Sequence, residues 1–171
     1  LEEHGLVLKK KIPNQKGYEY FPTKSCSELL PIIKSLGEWG MRWARSNLTE
    51  KDYDVELLMI YLKRSIQPEN LVGSETVIRF RFTDIEDFPN WWIMVKGNDV
   101  DICVNDPGRD VDVYFTSTVK TMADIWMGDT TYKKELANDN IKIVGHKALT
   151  RNISCWIPVS VFADIAPANE I

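Results

Sequence analysis

From Ile78 onward the apolar residues stop recurring every three to four positions and recur at every second one. Ile78-Arg79-Phe80-Arg81-Phe82 alternates apolar with basic side chains, and Val100-Asp101-Ile102-Cys103-Val104 and Val111-Asp112-Val113-Tyr114-Phe115 alternate again. Trp92-Ile93-Met94-Val95-Lys96 is the apolar run between them. A period of two sends successive side chains to opposite faces of a sheet, so four strands are predicted in a row, forming an antiparallel meander. Gly97-Asn98-Asp99 and Asp106-Pro107-Gly108-Arg109 supply turns, the second with Pro and Gly where a type II turn takes them. Asp99, Asp101, Asp110 and Asp112 alternate with Val and Ile and are assigned to the solvated face.

Helical spacing brackets this region. Val55, Leu58, Met59, Leu62 and Ile66 predict an amphipathic helix from Asp54 to about Ile66, ended by Pro68. On the far side, Val119, Met122, Ala123 and Trp126 share a face before Gly128, and Tyr132, Leu136 and Ala137 mark a second, short helix. Ile141-Lys142-Ile143-Val144-Gly145 is then a fifth strand, and Leu149, Ile153 and Trp156 place a last helix between His146 and Ile157. An α+β domain follows over residues 52–166, a five-stranded antiparallel sheet covered by helices.

Residues 1–46 form a separate unit, joined through the polar stretch 46–52. Leu1-Glu2-Glu3-His4-Gly5 reads as the last turn of a helix stopped by glycine, whose beginning is expected upstream. Leu6-Val7-Leu8-Lys9-Lys10-Lys11-Ile12 and Tyr18-Glu19-Tyr20-Phe21 predict two strands joined by the turn Pro13-Asn14-Gln15-Lys16-Gly17. Thr23 or Ser25 can then cap a long helix running to about Arg45. Its stripe of Leu29, Ile32, Ile33, Leu36, Trp39 and Trp43 is too apolar to leave uncovered, so it is expected to pair with a second copy or to dock on the following domain; a symmetric homodimer is the favoured expectation.

Charge divides the chain in the same place. Residues 1–50 carry eight Lys or Arg against six Asp or Glu, and residues 51–171 thirteen against nineteen, for a net charge of −4. Lys9, Lys10, Lys11 and Lys16 fall near the hairpin tip with no acid among them. Lysines so placed can reach phosphate, giving affinity without base readout, or simply keep an edge strand from aggregating.

Several function classes drop out. No apolar run approaches the ~20 residues that cross a bilayer, so no membrane insertion is expected. Cys26, Cys103 and Cys155 are odd in number and widely spaced, which points away from a disulfide framework or zinc site and toward the cytoplasm. His4 and His146 sit in no triad or metal pattern, Cys103 reads as a packed strand residue, and neither a calcium loop nor a glycine-rich phosphate loop is present. No catalytic residue, metal or cofactor is assigned, and an enzyme is not expected.

Two resemblances add to this reading. Leu1-Glu2-Glu3-His4-Gly5-Leu6-Val7, Tyr20-Phe21-Pro22-Thr23, Leu29-Leu30-Pro31 and Leu36-Gly37-Glu38-Trp39-Gly40 resemble the C-terminal half of an HxlR-type winged-helix transcriptional regulator. That likeness implies a partial winged helix over residues 1–46, with a wing whose lysines contact DNA, a helix that forms a dimer, and the base-reading helix upstream of Leu1. Phe21 and Cys26 depart from the family's usual residues.

The second likeness covers residues 52–165. Trp92-Ile93-Met94-Val95 running into Val100-Asp101-Ile102-Cys103, Asp106-Pro107-Gly108, Val111-Asp112-Val113, Ile125-Trp126-Met127-Gly128-Asp129 and Ile141-Lys142-Ile143-Val144-Gly145 followed by Leu149 resemble a sterol-carrier-type lipid-binding domain. It implies an apolar tunnel for an acyl chain or sterol between sheet and helices. Phe80, Phe82, Met94, Ile102, Val104, Met122, Trp126, Leu136 and Trp156 are the expected lining, although the same faces would also make an ordinary filled core. Together the resemblances imply a regulator whose DNA binding answers to an apolar ligand. A lipid carrier with an N-terminal dimerisation element is the alternative.

Overall fold

The computed structural model describes residues 1–13 and 16–168. The chain divides into two compact units, Leu1–Ser46 with Ile165–Ile171, and Asn47–Asp164.

Unit 1 opens with a closed turn in which the Gly5 N–H donates to the Glu2 carbonyl and the Leu6 N–H to the Leu1 carbonyl, both at 3.0 Å. With Gly5 at φ +67, the turn closes in the left-handed manner found at helix ends, but residues 2–5 form a turn and not a helix. Strands β1 (Val7–Lys11) and β2 (Tyr18–Pro22) pair antiparallel. The predicted turn between them includes Asn14 and Gln15, which lie outside the described residues. Thr23, not Ser25, caps helix α1 (Lys24–Trp43): its Oγ1 accepts from the Cys26 N–H at 3.3 Å and donates to the Gly5 carbonyl at 2.8 Å, tying the helix start to the opening turn. None of the 20 residues of α1 is buried. At its far end the Arg42 carbonyl accepts from the Ala168 N–H at 2.8 Å.

Unit 2 is a sheet with helices on one face. Helix α2 (Val55–Ser65), capped by Asp54, precedes β3 (Glu75–Phe82), β4 (Asn90–Lys96), β5 (Asp99–Cys103) and β6 (Val113–Ser117). Helices α3 (Val119–Met127) and α4 (Tyr132–Ala137), strand β7 (Ile141–Gly145) and helices α5 (Lys147–Thr150) and α6 (Ile153–Trp156) complete it.

The strand order is β5-β4-β3-β6-β7, which corrects the antiparallel meander. Strands β3, β4 and β5 do form one, but β6 lies parallel to β3 on its other side, so the sheet is mixed. One long-range contact marks the difference. Residues 111–112 do not continue the β5 hairpin; Asp112 instead bonds to Val77 at the edge of β3, its carboxylate accepting the Val77 N–H at 2.8 Å and its own N–H donating to the Val77 carbonyl at 2.9 Å. The segment around Asp106-Pro107-Gly108 is therefore a crossing loop and not a hairpin turn. The expected helix between His146 and Ile157 is also interrupted, at Arg151-Asn152. The break brings the Trp156 indole back to the Leu149 carbonyl, 3.0 Å away.

Sheet parity sets the core. Ile78, Phe80 and Phe82 of β3, Trp91, Ile93 and Val95 of β4, and Val113 and Phe115 of β6 point toward the helices, which supply Leu58, Met59, Leu62, Val119, Met122, Ile125, Leu149, Ile153 and Trp156. The opposite face carries Arg79, whose guanidinium lies 5.5 Å from the Trp92 ring and 6.0 Å from that of Tyr114, its neighbours on the two flanking strands. The Arg79 Nη2 donates to Asn90 Oδ1 at 2.9 Å.

Candidate ligand-binding groove

Four of the nine residues expected to line a tunnel, Phe80, Phe82, Met122 and Trp156, lie in the packed core. Phe80 stacks on Phe115 with centroids 4.8 Å apart, Phe82 lies 6.5 Å from Phe80, and Trp156 meets Phe115 edge-on at 6.1 Å. With Met122 also fully buried, these rings lie in the core between sheet and helices. Ile102 and Val104 pack against the edge of that cluster and remain partly exposed.

Two expected lining residues face elsewhere. Phe80 pairs with Trp91 and Ile78 with Ile93, so Met94, paired with Val77, belongs to the opposite face of the sheet. Leu136 is 42% exposed, because α4 turns Tyr132 and Glu135 inward instead. A glutamate can occupy that inward position because Thr130 Oγ1 and Asn140 Nδ2 both donate to its carboxylate, the latter at 2.6 Å, holding its pKa below the usual value.

Trp126 is the expected residue that does line an opening. It borders a groove of about 90 Å³ between α2 and α3 together with Leu48, Asp52, Tyr53, Asp54, Leu57, Leu58, Tyr61, Val119, Ala123 and Met127. The Trp126 ring is held in place on two sides: its Nε1–H donates to Ser65 Oγ at 2.8 Å, and its face stacks on Tyr61. Leu48 and Leu57, each more than two-fifths exposed, form an apolar rim. Helix spacing holds the signal for this surface. Tyr53, Leu57 and Tyr61 recur every fourth residue, so that Leu57 and Tyr61 form a second apolar stripe on α2, beside the one that enters the core, and Tyr53 extends it just ahead of the Asp54 cap.

The groove adjoins an opening of about 380 Å³ with a mixed lining of Tyr53, Asp84, Ile85, Thr118, Val119 and Lys120, sharing Tyr53 and Val119 with it. Asp124 organises it, accepting from the Tyr53 hydroxyl at 3.1 Å and from Lys120 Nζ. The hydrogen bond to Asp124 keeps the Lys120 pKa above its ordinary value, and burial, reinforced by Asp124, raises that of Tyr53. Asp84 caps α3 by accepting the Val119 N–H at 3.0 Å.

In unit 1 the expected basic cluster is divided by strand parity. Lys9 and Lys11 lie opposite Tyr20 and Tyr18, whereas Lys10 lies opposite Glu19 on the other face. Lys9 Nζ sits 4.2 Å from the Tyr18 ring centroid and Lys10 Nζ 5.0 Å from that of Phe21. Lys16 is exposed near the tip. Of the expected dimer stripe, Ile32, Ile33, Leu36, Trp39 and Trp43 are each at least half exposed and Leu29 is partly buried.

No family model and no curated relative matches the chain. Solved structures similar to it include a UbiJ-SCP2 ubiquinone synthesis protein, 15% identical over 66% of this chain and 89% of that one with a TM-score of 0.45. Sterol carrier protein 2 like 2 from Aedes aegypti is 18% identical over 58% of this chain and 93% of its own, TM-score 0.43. The inverting sec-alkylsulfatase Pisa1 from Pseudomonas sp. is 14% identical over 70% of this chain, TM-score 0.47, and the chain spans 17% of its length. The neighbours thus include sterol-carrier-protein-like domains; they give no support to the winged-helix resemblance of residues 1–46. No helix among the described residues is long and apolar enough to cross a membrane.

Proposed function

We propose that unit 2 is a non-catalytic binding module for an apolar or amphiphilic small molecule, and that unit 1 is a dimerisation element. The observation that carries the reading is the groove at Trp126. The core beneath it is occupied by Phe80, Phe115 and Trp156, and the exposed Leu48 and Leu57 add apolar surface beside the stacked Tyr61 and Trp126. The sequence resemblance to sterol-carrier domains points the same way.

Uncharged n-alkanols of increasing length test it, read by the indole N–H resonance of Trp126. Each methylene entering the groove contributes about 0.8 kcal/mol, so affinity climbs roughly fourfold per carbon until the groove is full. No binding at any length would remove the proposal.

The lysines of the hairpin favour a second reading, in which unit 1 belongs to a DNA-binding regulator controlled by the ligand. Lys9 and Lys11 share one hairpin face with Tyr18 and Tyr20, a charged and aromatic surface suited to a phosphate backbone. Under this reading the chain binds duplex DNA without sequence preference, and Lys9→Glu with Lys11→Glu abolishes that binding. Unchanged affinity in the double variant would dismiss it.

A further inference from the structure

The groove between α2 and α3 has a charge pattern that its apolar lining does not explain. Asp52 and Asp54 line it, Asp84 lines the adjoining opening, and Asp124 is bonded to the Tyr53 hydroxyl between them. Among the described lining residues the basic side chain is Lys120, and it is already paired with Asp124. Asp52 holds its charge into acid, because the Thr49 N–H and hydroxyl donate to its Oδ2 at 2.7 and 2.8 Å and lower its pKa. An incoming carboxylate would meet several negative charges and a cation whose charge is already balanced.

The aromatic lining has the complementary preference. Tyr53, Tyr61 and Trp126 all border the groove, Tyr61 and Trp126 each giving one face to their mutual stack, and ring faces attract cations, best of all at Trp. The protein places one of its own cations in this way, with Lys120 Nζ 5.4 Å from the Tyr53 ring centroid.

Resting on the proposed binding role of this groove, we infer that its ligand class is an amphiphile with a positively charged head group, an alkylammonium, the apolar chain lying along Leu57, Leu58 and Ala123 and the head held by Asp52, Asp54 and the aromatic rings. Fatty acids of the same length are disfavoured by the same charges. Lys120 then opposes the ligand and does not bind it.

Dodecyltrimethylammonium, dodecanol and laurate, each below its micellar concentration, separate the possibilities through the Trp126 indole N–H resonance and calorimetry at low salt. Dodecyltrimethylammonium is expected to bind about tenfold tighter than laurate, a difference of ~1.4 kcal/mol. Asp52→Asn with Asp54→Asn, substitutions that preserve the capping geometry, should close that gap without changing dodecanol affinity. Lys120→Gln should tighten the cation. Laurate binding as well as or better than the cation, or losing affinity in Lys120→Gln, would overturn the inference while leaving an apolar site. Dodecanol failing to bind along with the other two would overturn the groove itself. Thermal melting of each variant separates a lost preference from a lost fold.

Discussion

Trp126 stacks on Tyr61 with ring centroids 4.8 Å apart and planes 3° from parallel, a contact that joins α3 to α2 along one wall of the groove. A near-parallel aromatic pair contributes about 0.5–1.5 kcal/mol beyond the area it buries. The hydrogen bond from Trp126 Nε1 to Ser65 fixes the ring's rotation, so position and orientation have separate sources.

These two contributions can be measured apart. Ser65→Ala removes the acceptor and is expected to cost about 1 kcal/mol in urea unfolding, with an upfield shift of the Trp126 indole proton. Tyr61→Ala is expected to cost more, since it removes both the stacking partner and part of the wall, and to weaken alkanol binding. Equal stability in wild type and Tyr61→Ala would mean that the stack forms no part of the folded wall.

Glu135 gives unit 2 a pH dependence of known sign. Its folded pKa is depressed by the hydrogen bonds from Thr130 and Asn140, so the stabilisation is fully present above the unfolded value, 4.5, and is lost as pH falls through the folded one. Between pH 5 and pH 3 the melting temperature of the wild type should therefore fall more steeply than that of Glu135→Gln. Parallel curves would place the acid sensitivity elsewhere.

The placement of this site shows which parts of the fold were legible. The helical stripe of α2, a cap at Thr23 or Ser25 and the switch to period two are all visible, because spacing along one element is a local property. Strand partners are not local. Nothing in Val111-Asp112-Val113 indicates that Asp112 bonds to Val77, and with that unknown β6 was expected beside β5. Met94 was assigned to the ligand face because a run of five residues, Trp92 to Lys96, conceals its own parity; the register with Phe80 and Trp91 reveals it. The groove lining was legible in part, since Tyr53, Leu57 and Tyr61 repeat at fours, but a buried core stripe beside them was sufficient to explain the helix.

Gly128 ends α3 at φ +85, and a Cβ there would lie 2.6 Å from that of Ala163. Gly97, in the turn after β4, has φ +57 with nothing within 4 Å of such a Cβ. Both substitutions to Ala incur the left-handed backbone cost of roughly 1–2 kcal/mol, and only Gly128→Ala adds a clash. Chemical denaturation should rank Gly128→Ala below Gly97→Ala. The reverse order would show that residues 158–164 do not pack on the end of α3.

Helix α1 supplies the last prediction. Ile32, Leu36, Trp39 and Trp43 recur at intervals of three and four over the C-terminal part of this 20-residue helix, and Ile32, Leu36 and Trp39 are 63, 64 and 57% exposed. An apolar stripe of that length is unfavourable in water, and pairing two copies about a twofold axis removes it from both chains with one set of contacts. Sedimentation at tens of micromolar is expected to give a dimer. Trp39, large and central to the stripe, is the side chain whose loss should matter most, so Trp39→Asp is expected to weaken dimerisation about 30-fold or more, equivalent to the ≥ 2 kcal/mol of an interface hot spot. Lys34→Ala, a polar position on the same helix, serves as the control and should leave the dimer intact. A wild-type chain sedimenting as a monomer across the concentration series, with circular dichroism showing α1 folded, would refute the dimer; Trp39→Asp and Lys34→Ala dissociating alike would place the interface off this stripe.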